Sequence, residues 1–285
     1  LGASHAIFLA YAALLGAGGQ GSHVLVEHPF YEPLARVPVS LGADVTHFER
    51  RLENGYQIDL NAVLAGLKPN TNVVAISNLH NPTGVRTSAA TLERLARALH
   101  ERNVFLLVDE AYAPFDARCN DEGIFVHSAR TLGDNIVALS TLTKAYGYGP
   151  ERIGWVLGPP DLTRAIEHQV TTQLGLLPRA IAPIGVAILE NLAKLRGELV
   201  PHLPERRALV KDWVASHPRL SWTPPDEGVF GLVHVAGETD LRSRIEKGLV
   251  EHEVLVSLGE FFGVPDAFRL SWARPIETVR EGLSR

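Results

Sequence analysis

The 285-residue sequence contains no methionine and a single cysteine, Cys119. One thiol excludes an internal disulfide and fits a reducing compartment, so a cytoplasmic protein is expected. Long apolar runs are also missing. The best of them, residues 6–18 (AIFLAYAALLGAG), is shorter than a membrane span needs and ends in glycines. There is no excess of positive charge: 27 Lys and Arg against 32 Asp and Glu leave a net −5 with histidine neutral, which gives no electrostatic case for nucleic acid. The 12 histidines include no HExxH and no clustered ligand spacing, so no metal is expected. GxxxxGK[ST] is absent, so the run LLVDEAY at 106–112 is not the strand and acid of an ATPase. The one GxGxxG match, Gly16 to Gly21, follows a helical stretch and precedes an apolar run. A dinucleotide site needs the reverse order, so these glycines read as a helix stop and loop. The opening LGASHAIFLAYAALL reads as a turn and helix already inside a domain, and residues ahead of Leu1 are expected.

With 46% apolar and 21% charged residues, the chain has the composition of a globular protein with room for one large and one smaller domain. Apolar, β-branched runs at 23–29, 43–48, 72–78, 103–110, 135–141 and 153–158 predict strands. Several are nearly continuous Val, Ile and Leu, as in a parallel sheet covered on both faces. A helix is predicted over 88–102, where Leu92, Leu95, Ala96 and Leu99 share a face and Thr87 or Ser88 can cap it. This alternation predicts an α/β fold with a mostly parallel sheet between helical layers. Beyond about residue 190 the pattern changes to a charged helical stretch over 193–216, interrupted by Pro201 and Pro204. Strands at 229–235, 254–258 and 268–273 and a helix near 239–252 follow. The expected division is a large α/β domain over 1–190 and a small α+β domain over 191–285.

Polar residues gather where the predicted strands end. Asn81 lies in NPTG after the third, Asp109 and Tyr112 end and follow the fourth, and Thr141, Thr143 and Lys144 end and follow the fifth. Arg152 comes eight residues after Lys144. Open parallel sheets bind ligands at that edge. Each residue alone is more often structural or solvated than functional. Together, an acid, a lysine and an arginine at one sheet edge are hard to explain by stability, because buried charges are expensive.

Four linked stretches carry a resemblance: NLHNPTG at 78–84, VDEAY at 108–112, STLTK at 140–144 with Arg152-Ile153-Gly154 after it, and FRLSWA at 268–273. In order and spacing they resemble the class I/II aminotransferases, pyridoxal 5'-phosphate (PLP) enzymes of fold type I related to aspartate aminotransferase. The resemblance implies transfer of an amino group between an L-amino acid and a 2-oxo acid through a Schiff base on Lys144. It implies that Asp109 faces the ring nitrogen, that Asn81 and Tyr112 donate to the phenolic oxygen, and that Tyr31 stacks on the ring. Arg152, Thr141 and Thr143, with Gly2, Ala3 and Ser4 at the start of the first helix, would hold the phosphate. Arg269, helped by Asn81, would grip the substrate α-carboxylate with its planar fork. Pro150 stands where the family has glycine, with Gly149 one position earlier, so that loop is expected to differ in shape. The resemblance also implies a homodimer. Other outcomes share the site: a carbon–sulfur β-lyase, an aminocyclopropane-carboxylate-synthase-like enzyme, a decarboxylase, or the effector-sensing domain of a transcription regulator.

Overall fold

The computed structural model describes residues 1–16, 19–115, 127–175 and 179–285; Cys119 lies outside them. Helix α1 (Gly2–Leu15) opens the chain. An alternating series follows: β1 (His23–His28), α2 (Glu32–Ser40), β2 (Asp44–Glu49), α3 (Leu60–Ala65), β3 (Thr71–Ser77), α4 (Ala89–His100) and β4 (Phe105–Asp109). Next come β5 (Ile136–Thr141), β6 (Gly154–Leu157) and four helices, α5 (Pro160–Leu174), α6 (Ile181–Leu189), α7 (Leu192–Leu199) and α8 (Leu203–Ala215). The chain closes with β7 (Leu220–Ser221), β8 (Phe230–Val235), α9 (Leu241–His252), β9 (Ser257–Leu258), β10 (Ala267–Ser271) and α10 (Ile276–Ser284).

The six predicted strands all form, and they make one sheet in the order β2-β1-β3-β4-β5-β6. The first five are parallel, and β6 runs antiparallel to β5. Because side chains alternate across a strand, Val24 and Val26 of β1 pack with α1, α2 and α5, while Leu25 packs with α3 and α4 on the opposite face. That two-sided burial produces the three layers and explains the unbroken apolar runs. Leu92, Leu95, Ala96 and Leu99 are the buried stripe of α4, and Ser88 caps the helix by accepting the Thr91 N–H at 3.1 Å. Truncating one such leucine to alanine would cost roughly 2–5 kcal/mol. Glycine loop chemistry also proceeds as read: α1 stops at Gly16, whose φ is +70°, before β1 begins.

The second sheet is antiparallel in the order β7-β8-β10-β9. Here the sequence reading needs correction in three places. Pro204 does not interrupt a helix; it sits in the first turn of α8, where a missing N–H breaks no bond, and the break lies at Pro201. The strand expected over 254–258 shrinks to Ser257 and Leu258, because β9 is an edge with only β10 beside it, and Leu255 is exposed. Helices α2, α3, α5, α6 and α10 and the short strand β7 were not individually predicted; α2 carries prolines at 33 and 38 that obscure its pattern. Residues of both faces of the second sheet, Phe230 on one and Val233 and Phe268 on the other, fall in one apolar cluster with Leu142, Ala145 and Tyr146. That contact sets β10 over the carboxyl edge of the first sheet.

Candidate active site

Parallel β1 to β5 place their carboxyl ends along one edge, and most of the singled-out residues stand there. Asp109 ends β4, in register with Ser77 of β3 on one side and Leu139 of β5 on the other. It is buried, and its Oδ1 accepts the Ala111 N–H at 2.9 Å. Burial pushes its carboxyl up from 3.8 to about 6, against the pull of that amide and of the Lys144 charge. Lys144, three residues past β5, is exposed, with Nζ 5.8 Å from the centre of the Tyr112 ring. Burial also raises the Tyr112 phenol, opposed by the nearby Arg269 guanidinium. Tyr31, half-buried beyond β1, is raised by burial and by the Asp109 charge, while a hydrogen bond with Ser4 and the Lys144 charge act the other way. Tyr31, Ser4, Asp109, Tyr112, Lys144 and Arg269 therefore share one electrostatic neighbourhood, although 265 sequence positions separate Ser4 from Arg269.

At one end of this neighbourhood, the start of α1 meets the turn after Lys144. Gly2 has φ +73°, and a β-carbon there would lie 2.6 Å from Arg152 Nη2. A β-carbon on Gly154 would lie 2.7 Å from the Gly2 carbonyl carbon. Only glycine permits this approach at both positions. Arg152 donates from Nη2 to the Leu1 carbonyl at 3.3 Å and from Nη1 to the Gly149 carbonyl at 3.4 Å. Its own φ is +56°, so the turn containing Pro150 ends in left-handed backbone and sends the arginine toward α1. Thr141 donates its hydroxyl to the Ile153 carbonyl at 2.7 Å, so at the 2.9 Å contact between the two hydroxyls Thr143 is the donor. Thr141 thus braces the turn, while Thr143 is the more accessible of the two. Ala3 is half-buried in the first turn of α1.

At the other end stands Arg269 of β10. Its Nη1 donates to Asn81 Oδ1 at 2.7 Å and its Nη2 to Ser257 Oγ at 3.3 Å. The guanidinium lies 4.8 Å from the centre of the Phe230 ring and 4.9 Å from that of Phe262. Arg269 Nε is buried without a hydrogen-bond partner, a costly state for a charged group. Asn81 in turn is anchored through its backbone N–H, which donates to Ser77 Oγ at 2.9 Å.

Sequence reasoning missed Phe230, Phe262, Ser257 and Ser77. No motif marks them, since two are ordinary apolar positions and two are small polar ones; only the three-dimensional meeting of β3, β8, β9, β10 and the turn at Gly259–Phe262 identifies them. Glu27 carried a legible signal, a lone acid inside VLVEHP. Among the described residues, no group of three His, Cys, Asp or Glu is placed to hold a metal ion, and no helix is long and apolar enough to cross a membrane.

Comparison with known proteins gives a consistent result. The family model "Aminotransferase class I and II" matches residues 2–285. Arginine–pyruvate transaminase AruH of Pseudomonas aeruginosa is 29% identical over 288 residues, covering 100% of this chain and 72% of that protein. Capreomycidine synthase of Streptomyces vinaceus is 29% identical over 290 residues, covering 99% and 71%. Among solved structures, a PLP-dependent aminotransferase from Streptococcus suis superposes with a TM-score of 0.89 at 27% identity, covering 99% of this chain and 73% of that one.

Proposed function

Because the chain belongs to the class I and II aminotransferases, we propose that it moves an amino group from an L-amino acid to a 2-oxo acid, using pyridoxal 5'-phosphate held at the carboxyl edge of the six-stranded sheet. The residues suit that cofactor on grounds of their own. Gly2 leaves room beside Arg152 that a single β-carbon would fill, Arg269 keeps a buried donor unused, and buried Asp109 ends the strand next to the one that leads into Lys144. When bound, the cofactor supplies an electron sink for the bond broken at the substrate α-carbon.

The chain's own groups divide the remaining work. Lys144 would carry the cofactor on its ε-amine, and its Nζ, when free, would take the proton from the substrate α-carbon. Asp109, mostly ionised at pH 7 with a pKa of about 6, holds the ring nitrogen protonated. Asn81 and Tyr112 donate to the phenolic oxygen, and Tyr31 covers the ring. Arg152 would hold the phosphate with the N–H groups of Gly2, Ala3 and Ser4, joined by Thr143 once its hydroxyl turns from Thr141 toward the anion. Arg269 meets both oxygens of the substrate α-carboxylate, with Asn81 fixing its angle. Within this reading, residues 1–190 form the cofactor-holding part and 191–285 the part that delivers Arg269. We also propose a cytoplasmic homodimer, the commonest symmetric assembly, which light scattering at micromolar concentration checks.

The observation that carries the reading is the placement of buried Asp109 at the carboxyl end of β4, with Lys144 three residues past the end of the neighbouring parallel strand β5. Its test is reconstitution with PLP followed by borohydride reduction and peptide mapping. The expected result is a visible absorption band and a label on Lys144; a label on another lysine, or no band, overturns the assignment. Because capreomycidine synthase matches as well as the transaminase does, product analysis with pairs of amino and 2-oxo acids is the companion experiment. Amino-group transfer requires a new amino acid and a new 2-oxo acid in equal amounts.

A further inference from the structure

A second polar cluster lies beneath the site, inside the sheet. Glu27 on β1 follows Val24, Leu25 and Val26, all fully buried, and is itself fully buried. Its Oε2 accepts Arg50 Nη1 at 2.7 Å, and its Oε1 accepts both the Ser77 backbone N–H at 2.6 Å and the Ser77 hydroxyl at 2.7 Å. Arg50, also buried, is fixed at its other donors by the Tyr56 carbonyl at 2.6 Å and Thr87 Oγ1 at 3.2 Å. His80 Nε2 lies 3.7 Å from Glu27 Oε2 and donates to the Pro29 carbonyl at 2.9 Å. Burial and the Arg50 charge keep this histidine neutral, so it adds no second cation to the pair.

Stability alone is a poor reason for such a pair. Desolvating two charges costs several kcal/mol each, and well-packed apolar side chains often do as well or better. The hydrogen bonds have a direction, however. A serine hydroxyl has one proton, and Ser77 gives it to Glu27. Its oxygen is thereby left to accept, and what it accepts is the Asn81 backbone N–H at 2.9 Å. Asn81 Oδ1 then receives Arg269 Nη1 at 2.7 Å. An unbroken series runs from Arg50 through Glu27, Ser77 and Asn81 to Arg269, linking β1, β3 and β10.

We infer that Glu27, Arg50 and Ser77 are positioning residues for the carboxylate clamp: by committing the Ser77 proton to Glu27 they fix Asn81, and through Asn81 the angle at which Arg269 meets substrate. This rests on Arg269 being the clamp, as proposed above. None of the three touches substrate or cofactor, so their contribution is read in discrimination for a carboxylate.

The experiment compares 2-aminoisobutyrate with tert-butylamine, which carries a methyl group in place of the carboxylate; neither has an α-hydrogen to lose. Dissociation constants for the PLP-loaded enzyme are read from the change in its visible spectrum, and their ratio is the carboxylate preference. Ser77→Ala is expected to lower that preference roughly three- to tenfold, the range of one ordinary hydrogen bond. Ser77→Thr, which keeps the hydroxyl, is expected to restore it. Glu27→Gln is expected to lower it at least as far as Ser77→Ala, because one amide cannot accept from both Arg50 and Ser77. Should Glu27→Gln fail to fold, the serine pair decides. Arg269→Ala is the control for the clamp itself. If Arg269→Ala abolishes the preference while Ser77→Ala keeps it within twofold of wild type, the positioning role is overturned and the clamp stands. If Arg269→Ala keeps the preference, the clamp assignment falls, and the positioning role with it. A fall in melting temperature with the preference unchanged marks the cluster as purely structural and also overturns the inference.

Discussion

Glu27 and Asp109 are both buried carboxylates on the six-stranded sheet, with only β3 between their strands, and the protein treats them in opposite ways. Around Glu27 the chain supplies a guanidinium, a backbone amide and a hydroxyl, so both oxygens are fully engaged. On the Asp109 carboxylate the only hydrogen bond among the described residues is the Ala111 amide on Oδ1, with the Lys144 charge acting in the same direction. Burial raises both acids, and for Glu27 the opposing interactions come from Arg50 and Ser77. A carboxylate saturated by its own chain is part of the frame. One left under-partnered at a strand end can serve a ligand, and the fold carries the cost of keeping it so.

The sharpest way to break that contrast is to remove Asp109. Asp109→Ala should still bind PLP but lose on the order of 10²–10⁴-fold in turnover, the range for losing a positioned acid–base partner. Steady-state kinetics of the reconstituted variant measures it, and near wild-type rates would place Asp109 away from the ring nitrogen.

Isosteric amides should then separate the two acids by stability. Glu27→Gln leaves Arg50 buried without its counter-charge and should destabilise the protein by roughly 3–5 kcal/mol. Asp109→Asn should do the reverse in the cofactor-free protein. A carboxyl whose folded pKa is raised favours folding fully below its unfolded pKa of 3.8, and that contribution is lost as pH rises to about 6. At about 1.4 kcal/mol per pH unit over that interval, the amide should stabilise by about 3 kcal/mol at pH 7 and above, with the gain vanishing below pH 4. Urea denaturation at pH 4 and pH 8 gives both numbers. Equal and opposite behaviour is not required, but two losses at pH 8 would erase the distinction.

A smaller effect is expected at the clamp. Arg269→Lys keeps the charge but replaces a planar fork with a point charge. It should lower kcat/KM by about one to two decades, or about 1.5–3 kcal/mol, with PLP affinity unchanged. An unchanged kcat/KM would return Arg269 to a structural role between Phe230 and Phe262.

Much of this arrangement was legible in the letters. Strands buried on both faces must be apolar nearly throughout, so β1, β3, β4 and β5 announce themselves, and chain order then puts Asn81, Asp109 and Lys144 at one edge. Pro204 and the short β9 misled because local composition does not say whether a proline opens a helix or whether an edge strand has a partner on both sides. The Arg50–Glu27–Ser77 cluster escaped for a different reason. Its members are 50, 27 and 77 in sequence and lie on different segments, and a buried ion pair is a property of their meeting. Only the isolated acid in an apolar strand hinted at it.

The contact between Gly2 and Arg152 has a further consequence, for assembly of the fold. Arg152 Nη2 reaches the Leu1 carbonyl across 151 positions of chain. Closing so long a loop carries an entropic penalty that is recovered only once the intervening strands are in place. The meeting of α1 with the turn before β6 is therefore a contact of very large sequence separation, formed once the start of the chain has returned to β5 and β6. A phosphate group bound there, as proposed, would favour the assembled sheet and by mass action would stabilise the sheet, not one loop.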